Sequence, residues 1–142
     1  MKNPTKIIIV EDDKDISALI AYNLRKEGFL VEQVFDGYAA AEKLKNEHFN
    51  IAIVDIMLPG LNGFDICREI KSGENSSFGT FVIVVSAKTS PQDKLYAHIM
   101  GADCYFAKPF SVAILLDAVK EVKAMQDKEF VVNRKWEKEE AR

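Results

Sequence analysis

Apolar residues along the chain fall into five short runs, which are separated by longer segments with helical spacing. The runs are KIIIV (6–10), LVEQV (30–34), IAIV (51–54), FVIVV (81–85) and CYF (104–106). The first, third and fourth runs are continuous and rich in Ile and Val, which is typical of strands covered on both faces of a parallel sheet. The second run alternates apolar and polar residues, which favours a strand at the edge of the sheet.

The segments between the runs carry helical patterns, with apolar residues three or four positions apart. These residues are Ile16, Leu19, Ile20 and Leu24, then Tyr38, Ala41 and Leu44, then Ile66, Cys67 and Ile70, and last Leu115, Ala118, Val119 and Val122. A further helix is predicted between the last two runs from its end signals, so strand and helix alternate five times. This alternation predicts an α/β fold, a doubly wound parallel sheet of five strands with five helices, built as a three-layer sandwich with right-handed crossovers.

The ends of several helices can also be predicted. Either Asp13 or Asp15 can cap the first helix, and Ser111 can cap the fifth, because their side-chain oxygens accept hydrogen bonds from first-turn N–H groups. For the fourth helix we expect Ser90 as the cap, Pro91 in the first turn and a glycine, Gly101, just past the end.

Composition and charge argue against several classes of protein. The chain has 142 residues, which suits one domain, and its net charge of −3 is spread without a basic stripe, which argues against nucleic-acid binding. No apolar stretch approaches the roughly 20 residues of a membrane span, and the first residues lack the apolar region of a signal peptide. We therefore predict a cytoplasmic protein with no membrane partner, in which Cys67 and Cys104 are buried, reduced thiols.

The last residues differ from the rest of the chain. From position 126 the sequence QDKEFVVNRKWEKEEAR contains five acids and five bases. Val122, Met125, Val132 and Trp136 have the spacing of one helical face, but Glu129 interrupts it. We predict a domain over residues 1–125 and leave two interpretations of residues 126–142 open, a helical extension and a linker.

Polar side chains follow four of the five predicted strands where each strand ends. Glu11 and Asp12 follow the first, Asp55 the third, Ser86 ends the fourth and Lys108 follows the fifth, whereas the second ends in FDG without a reactive group. Parallel sheets of this type bind ligands beyond the carboxyl ends of their strands. We therefore expect these side chains to form one site.

The chemistry of this site follows from its charges. Glu11, Asp12 and Asp55 would repel one another so strongly that one of them would be driven to protonate, and a divalent cation removes the conflict. An all-oxygen site that keeps several waters suits Mg²⁺. Lys108 and Ser86 supply an ammonium and a hydroxyl for phosphoryl oxygens, and a carboxylate can act as the nucleophile. The residues thus predict phosphorylation of Asp55 in a Mg²⁺-dependent reaction.

The motifs IVEDD, IVDIMLPGLNGFD, VVSAKT and FAKPF, in this order and spacing, resemble the response-regulator receiver domains of two-component signalling over about residues 5–125. The resemblance implies the flavodoxin-like strand order 2-1-3-4-5. It also implies that Glu11 and Asp12 hold Mg²⁺, Asp12 directly and Glu11 through water. Asp55 would be the phosphoacceptor, and Met57 would offer its backbone carbonyl to the metal.

The same resemblance assigns the remaining site residues. Ser86 would follow the phosphoryl group, and Lys108 would pair with a phosphoryl oxygen. Tyr105 would be the aromatic switch, although its residue type alone suits a half-buried edge-strand tyrosine equally well. The Lys108–Pro109 peptide bond would be cis.

The function that the resemblance implies is a phosphorylatable switch in a phosphorelay. A histidine kinase or phosphotransfer protein would donate the phosphoryl group. The domain would catalyse only its own phosphorylation and dephosphorylation, so it is not an enzyme of metabolism. Phosphorylation would change the face formed by the fourth helix, fifth strand and fifth helix, which would bind an output protein or a second copy of the chain.

The residues leave three alternative functions open. A degenerate receiver would act unphosphorylated as an interaction module, but the complete residue set argues against it. An aspartyl-nucleophile phosphohydrolase of the haloacid-dehalogenase type needs a second aspartate at position 57, where this chain has Met57. A flavodoxin-like cofactor binder needs a phosphate loop after the first strand, where EDDKD would repel phosphate.

Overall fold

A computed structural model describes residues 4–72 and 79–140, with side chains through Lys128, and contains one parallel sheet. Within the described residues its strands are β1 (Lys6–Val10), β2 (Leu30–Val34), β3 (Ile51–Val54), β4 (Phe81–Ser86) and β5 (Cys104–Ala107). They are ordered β2-β1-β3-β4-β5, and every pair is parallel. The predicted strand order is therefore confirmed, and β2 lies at an edge as its alternating pattern indicated.

The helices of the described residues lie between and after these strands. They are α1 (Lys14–Lys26), α2 (Gly37–Asn46), α3 (Gly63–Lys71), α4 (Pro91–Ile99) and α5 (Val112–Glu140). The predicted caps are confirmed: Asp13 caps α1, Ser90 caps α4, and the Ser111 hydroxyl accepts the N–H of Ile114 at 3.3 Å. Gly101 follows α4 with a φ of +116°, a conformation that favours glycine.

The hydrophobic core forms two layers, one on each face of the sheet. One layer packs α2, α3 and α4 against the sheet, and the other packs α1 and α5 against its opposite face. Successive strand side chains point to opposite faces. The Ile and Val runs of β1, β3 and β4 therefore contribute side chains to both layers, which is why residues 7–10, 51–54 and 81–85 are all apolar. The layers place all the loops that follow the strands at one rim.

The last helix of the described residues extends beyond position 125. This helix, α5, continues to Glu140. The Gln126 side-chain amide donates a hydrogen bond to the carbonyl oxygen of Asn50 at 2.9 Å, which ties α5 to the sheet. The predicted apolar face at Val132 and Trp136 lies outside the described side chains.

Two expectations from composition can be compared with the structure. Cys67 and Cys104 are free thiols, but only Cys67 is buried. Cys104 is half-buried because β5 is an edge strand, so the expectation of two buried cysteines is wrong for Cys104. Among the described residues, no helix has the length and apolar character needed to cross a membrane.

Candidate functional site

The register of the sheet brings two acidic residues to the same level. Val10 of β1 and Val54 of β3 are register partners, and Glu11 and Asp55 follow them directly. The N–H of Asp55 donates to the carbonyl oxygen of Val10 at 2.9 Å, which extends the pairing by one step. The backbone ladder therefore sets where both side chains leave the sheet.

Three carboxylates meet at this rim. Oxygen atoms of Glu11, Asp12 and Asp55 lie within 4.8 Å of one another. Glu11 and Asp55 are buried, 3% and 6% exposed, whereas Asp12 faces solvent. Carboxylate oxygens at this spacing are suitable ligands for a hard divalent cation such as Mg²⁺. The predicted acidic cluster is thus assembled.

Lys108 reaches the same carboxylates from the loop after β5. Its ammonium nitrogen lies 2.5 Å from Oε1 of Glu11 and 2.9 Å from Oδ2 of Asp55. Burial lowers the pKa of Lys108, but the hydrogen bonds to Glu11 and Asp55 outweigh it, so the pKa is raised overall. The lysine therefore stays charged and balances part of the acidic cluster.

The carboxyl group of Glu11 has a raised pKa. Burial raises its pKa from 4.5 to about 7, the nearby Asp55 charge adds to this, and the hydrogen bond from Lys108 opposes it. The sequence predicted that crowding would favour protonation of one carboxylate. The carboxyl whose pKa is raised is that of Glu11, and burial ranks ahead of charge repulsion as the cause.

The segment between β3 and α3, residues 55–62, is called the acceptor loop below. At its start, the Met57 N–H donates to Oδ1 of Asp55 at 3.0 Å, so both carboxylate oxygens of Asp55 are engaged. At its end, the N–H of Gly63 donates to the carbonyl oxygen of Ile56 at 3.0 Å. A Cβ on Gly63 would lie 2.4 Å from the Asp55 carbonyl oxygen, so only glycine permits this close approach.

Gly63 was not identified from the sequence as part of the site. The signal was present in LNGFD, where Asn62 precedes a helical pattern and a glycine occupies its first position. Asn62 caps α3 by accepting the Asp65 N–H at 3.0 Å. This cap starts the helix directly beneath Asp55, and that placement makes the small residue necessary.

Ser86 and Tyr105 contact the backbone of the same residue, Lys88. The Ser86 hydroxyl, which is fully buried, accepts the Lys88 N–H at 3.2 Å. The Tyr105 hydroxyl donates to the Lys88 carbonyl oxygen. Burial raises the pKa of Tyr105, and a hydrogen bond with Ser86 acts in the opposite direction. One peptide segment thus links the two predicted switch residues.

The predicted site residues therefore form two neighbouring groups. Glu11, Asp12, Asp55 and Lys108 form the charged group, and Ser86 and Tyr105 share the loop after β4. The two groups are joined through the backbone, where the Lys108 N–H donates to the Ser86 carbonyl oxygen at 2.9 Å. The Lys108–Pro109 peptide bond is cis, as the resemblance implied.

Comparison with known proteins finds similarity to response regulators and their receiver domains. The family model of the response regulator receiver domain matches residues 7–120. A CheY-like response regulator receiver domain protein from Methanospirillum hungatei is 30% identical, with a TM-score of 0.80, over 89% of this chain and 99% of that one. The response regulator DrrB, a Thermotoga maritima OmpR/PhoB homolog, is 31% identical with a TM-score of 0.78, over 87% of this chain and 54% of that one.

A third similar structure contains a metal. The receiver domain of the sensor histidine kinase PA1611 from Pseudomonas aeruginosa is 28% identical with a TM-score of 0.74, over 84% of this chain and 97% of that one. It was solved with a magnesium ion coordinated in the active-site cleft. The family match spans most of the chain and includes the rim with the charged group. The chain therefore belongs to the response regulator receiver domain family.

Proposed function

We propose that this receiver domain accepts a phosphoryl group on Asp55 in a Mg²⁺-dependent reaction. The donor would be a histidine kinase or a phosphotransfer protein. One observation carries the proposal: the buried Asp55 carboxylate is contacted by the Lys108 ammonium at 2.9 Å, in a cluster with two more carboxylates. Membership of the family supports the same reaction.

The residues that would hold Mg²⁺ are Glu11, Asp12, Asp55 and the backbone carbonyl of Met57. Their donors are all oxygen, which suits Mg²⁺, and the magnesium in the PA1611 receiver domain supports this choice. When bound, the ion supplies positive charge that offsets the carboxylates and the phosphoryl oxygens. Asp12, the exposed member, is accessible for direct ligation, and the buried Glu11 would act through water.

The transfer step itself uses Asp55 as the nucleophile. One of its carboxylate oxygens attacks phosphorus and forms an O–P bond. The bond from phosphorus to the donor imidazole nitrogen breaks, and the imidazole leaves with the electron pair and takes up a proton. Lys108 stabilises the charge that develops on the phosphoryl oxygens, and the Ser86 hydroxyl donates to one of them. Hydrolysis of the aspartyl phosphate later resets the domain.

The output would be a change in binding. Ser86 and Tyr105 both contact Lys88, so a hydroxyl drawn toward the phosphoryl group would alter the loop before α4 and the position of Tyr105. The face formed by α4, β5 and α5 exposes Leu95 and Ile99, 60% and 68% exposed, and would bind an output protein or a second copy. The chain would act in the cytoplasm through protein contacts, without binding nucleic acid.

The test is the intact mass of the chain after incubation with acetyl phosphate, with and without Mg²⁺. We expect one phosphoryl group on the wild type only when Mg²⁺ is present, and none on Asp55→Asn. A wild type that never gains mass would contradict the proposal and favour the alternative of a degenerate receiver. Turnover of an unrelated phosphate monoester would instead favour the phosphohydrolase alternative.

Dimer formation through the α4, β5 and α5 face has its own test. Light scattering after size exclusion, with and without beryllofluoride as a phosphoryl mimic, measures the mass in each state. A monomer under both conditions would contradict the dimer and leave the proposed phosphorylation untouched.

A further inference from the structure

The turn after β2, residues 35–38 (FDGY), brings no reactive group to the rim, yet it contacts the acceptor loop. The N–H of Gly37, the first residue of α2, donates a hydrogen bond to the carbonyl oxygen of Pro59 at 3.0 Å. First-turn N–H groups have no partner inside their own helix. The acceptor loop therefore supplies the hydrogen-bond acceptor for the first N–H of α2, and α2 in turn holds the middle of the loop.

The two segments touch at Gly37 so closely that a side chain does not fit. A Cβ at this position would lie 1.9 Å from the carbonyl oxygen of Leu61 and 2.6 Å from its carbonyl carbon. Both are backbone atoms, so no side-chain rotation relieves the overlap. Gly37 is helical and does not have a positive φ, so space and not backbone conformation requires glycine here.

A second contact from the same turn lies beside the first. The ring of Tyr38 covers Gly60, where a Cβ would lie 2.7 Å from Cδ2 and 2.9 Å from Cε2 of the ring. Tyr38 is 65% exposed and is not part of the hydrophobic core. Its ring therefore contacts the acceptor loop at the protein surface. Gly60 itself has a φ of +81°, which marks the sharp turn that the ring covers.

The acceptor loop is fixed at its ends by Asp55 and Gly63 and in its middle by the turn after β2. Between these points the Leu58 N–H donates to the Ile56 carbonyl oxygen at 3.2 Å. This bond leaves the backbone little freedom to move between Asp55 and Pro59. Displacement of Pro59 and Leu61 would therefore be transmitted to Met57 and Asp55.

We infer that Gly37 is a positioning residue for the reaction and that Tyr38 assists it. Together they hold the acceptor loop so that the Met57 backbone and the Asp55 carboxylate keep the positions from which they would hold Mg²⁺. This inference rests on the proposed function, because it assigns a role in the Mg²⁺ site. It also explains why the one rim segment without a reactive group is part of the site.

The test measures Mg²⁺ affinity from shifts of backbone amide resonances in the unphosphorylated chain. We expect Gly37→Ala to weaken Mg²⁺ binding about tenfold, at the lower end of what loss of a supporting contact around a metal costs. Alanine is a better helix former than glycine. If Gly37 had a merely structural role within α2, the variant would therefore keep wild-type Mg²⁺ affinity and at least wild-type stability.

Gly28→Ala is the matched control. Gly28 has a φ of +94° and no atom within 4 Å of a Cβ, so the variant is strained and lies away from the acceptor loop. We expect it to lower the stability of the fold and to leave Mg²⁺ affinity unchanged. A weakened affinity in this control as well would mean that general destabilisation explains the result, which would overturn the inference.

A second pair keeps the test decisive if Gly37→Ala does not fold. Tyr38→Ala removes the ring from Gly60 and should weaken Mg²⁺ binding, whereas Tyr38→Phe keeps the ring carbons that make the contact and should bind as the wild type does. Wild-type affinity in every variant that folds would overturn the inference but not the proposed function. A wild type that binds no Mg²⁺ would overturn both.

Discussion

The ammonium nitrogen of Lys108 and Oδ2 of Asp55 lie 2.9 Å apart, although the two residues are separated by 53 positions in the chain. The same nitrogen also contacts Glu11 at 2.5 Å. The lysine therefore offsets part of the negative charge of two carboxylates that we propose for Mg²⁺ binding. It competes with the cation for their charge, yet it is positioned to stabilise the transferred phosphoryl group.

Removal of the Lys108 charge should affect Mg²⁺ binding and phosphoryl transfer in opposite directions. In Lys108→Gln we expect tighter Mg²⁺ binding, because a competing cation is gone, and phosphorylation by acetyl phosphate about a hundredfold slower, as for loss of one charge-stabilising donor. Metal titration and the rate of mass gain measure the two effects. Lys94→Gln removes an equal charge from exposed α4 and should change neither. A Lys108→Gln rate equal to the wild type would contradict the assigned role.

The shared contact with Lys88 predicts coupling between Ser86 and Tyr105. In a double-mutant cycle, we expect the effects of Ser86→Ala and Tyr105→Phe on the free energy of unfolding to depart from additivity by about 0.5 kcal/mol or more, because both hydroxyls bond to one residue's backbone. Chemical denaturation of the four proteins gives this value. Thr80→Val, just before the start of β4, should be additive with Tyr105→Phe. Additivity of the Ser86 pair as well would contradict the coupling.

Phe49 should be a main contributor to stability. Its side chain is fully buried in the layer with α2 and α3, so Phe49→Ala leaves a cavity and should cost about 3–5 kcal/mol of unfolding free energy. Urea denaturation measures the loss. The matched control is Leu95→Ala on exposed α4, which should stay within about 0.5 kcal/mol of the wild type. A loss below about 1 kcal/mol for Phe49→Ala would show that the layer repacks.

Glu47 should contribute to the acid sensitivity of the fold. Hydrogen bonds from Lys43 and then Lys6 lower its pKa from 4.5 to about 2. The folded state therefore holds this proton less tightly than the unfolded state. The stabilisation is present above pH 4.5 and is lost as the pH falls toward 2.

The measurement is the free energy of unfolding across this pH window, for the wild type and Glu47→Gln. The difference between the two proteins should shrink as the pH falls. High salt should reduce it throughout, because the ion pairs are exposed. A Glu47 carboxyl that titrates near 4.5 in the folded protein, followed by NMR, would contradict the prediction.

The boundary near residue 125 remains a prediction that truncation can test. A chain that ends at Lys128 keeps the Gln126 hydrogen bond to Asn50 and should retain the wild-type melting temperature and phosphorylation rate. Truncation after Leu116 removes Val119 and Val122 from the layer that α1 and α5 share, and should prevent folding. A large loss of stability in the longer product would place the boundary beyond residue 128.

Local patterns in the sequence were sufficient for the strands and the helix caps, whereas the strand order came from the resemblance to receiver domains. The Ile and Val runs of β1, β3 and β4 show burial on both faces, and Asp13, Ser90 and Ser111 show where helices begin, because capping depends only on residues three positions apart. The candidate site also followed from the sequence, since parallel strands end at one rim and the polar residue after each strand is known.

The tertiary structure decided how those residues differ from one another. Glu11 and Asp12 are neighbours in sequence, yet only Glu11 is buried, and only Glu11 contacts Lys108, which is 97 positions away. Gly37 resembles an ordinary helix start until Leu61 is placed against it. Burial and close approach are properties of segments that are distant in sequence and meet only when the layers pack. For this reason the sequence predicts which groups form the site, and packing sets their charge states and positions.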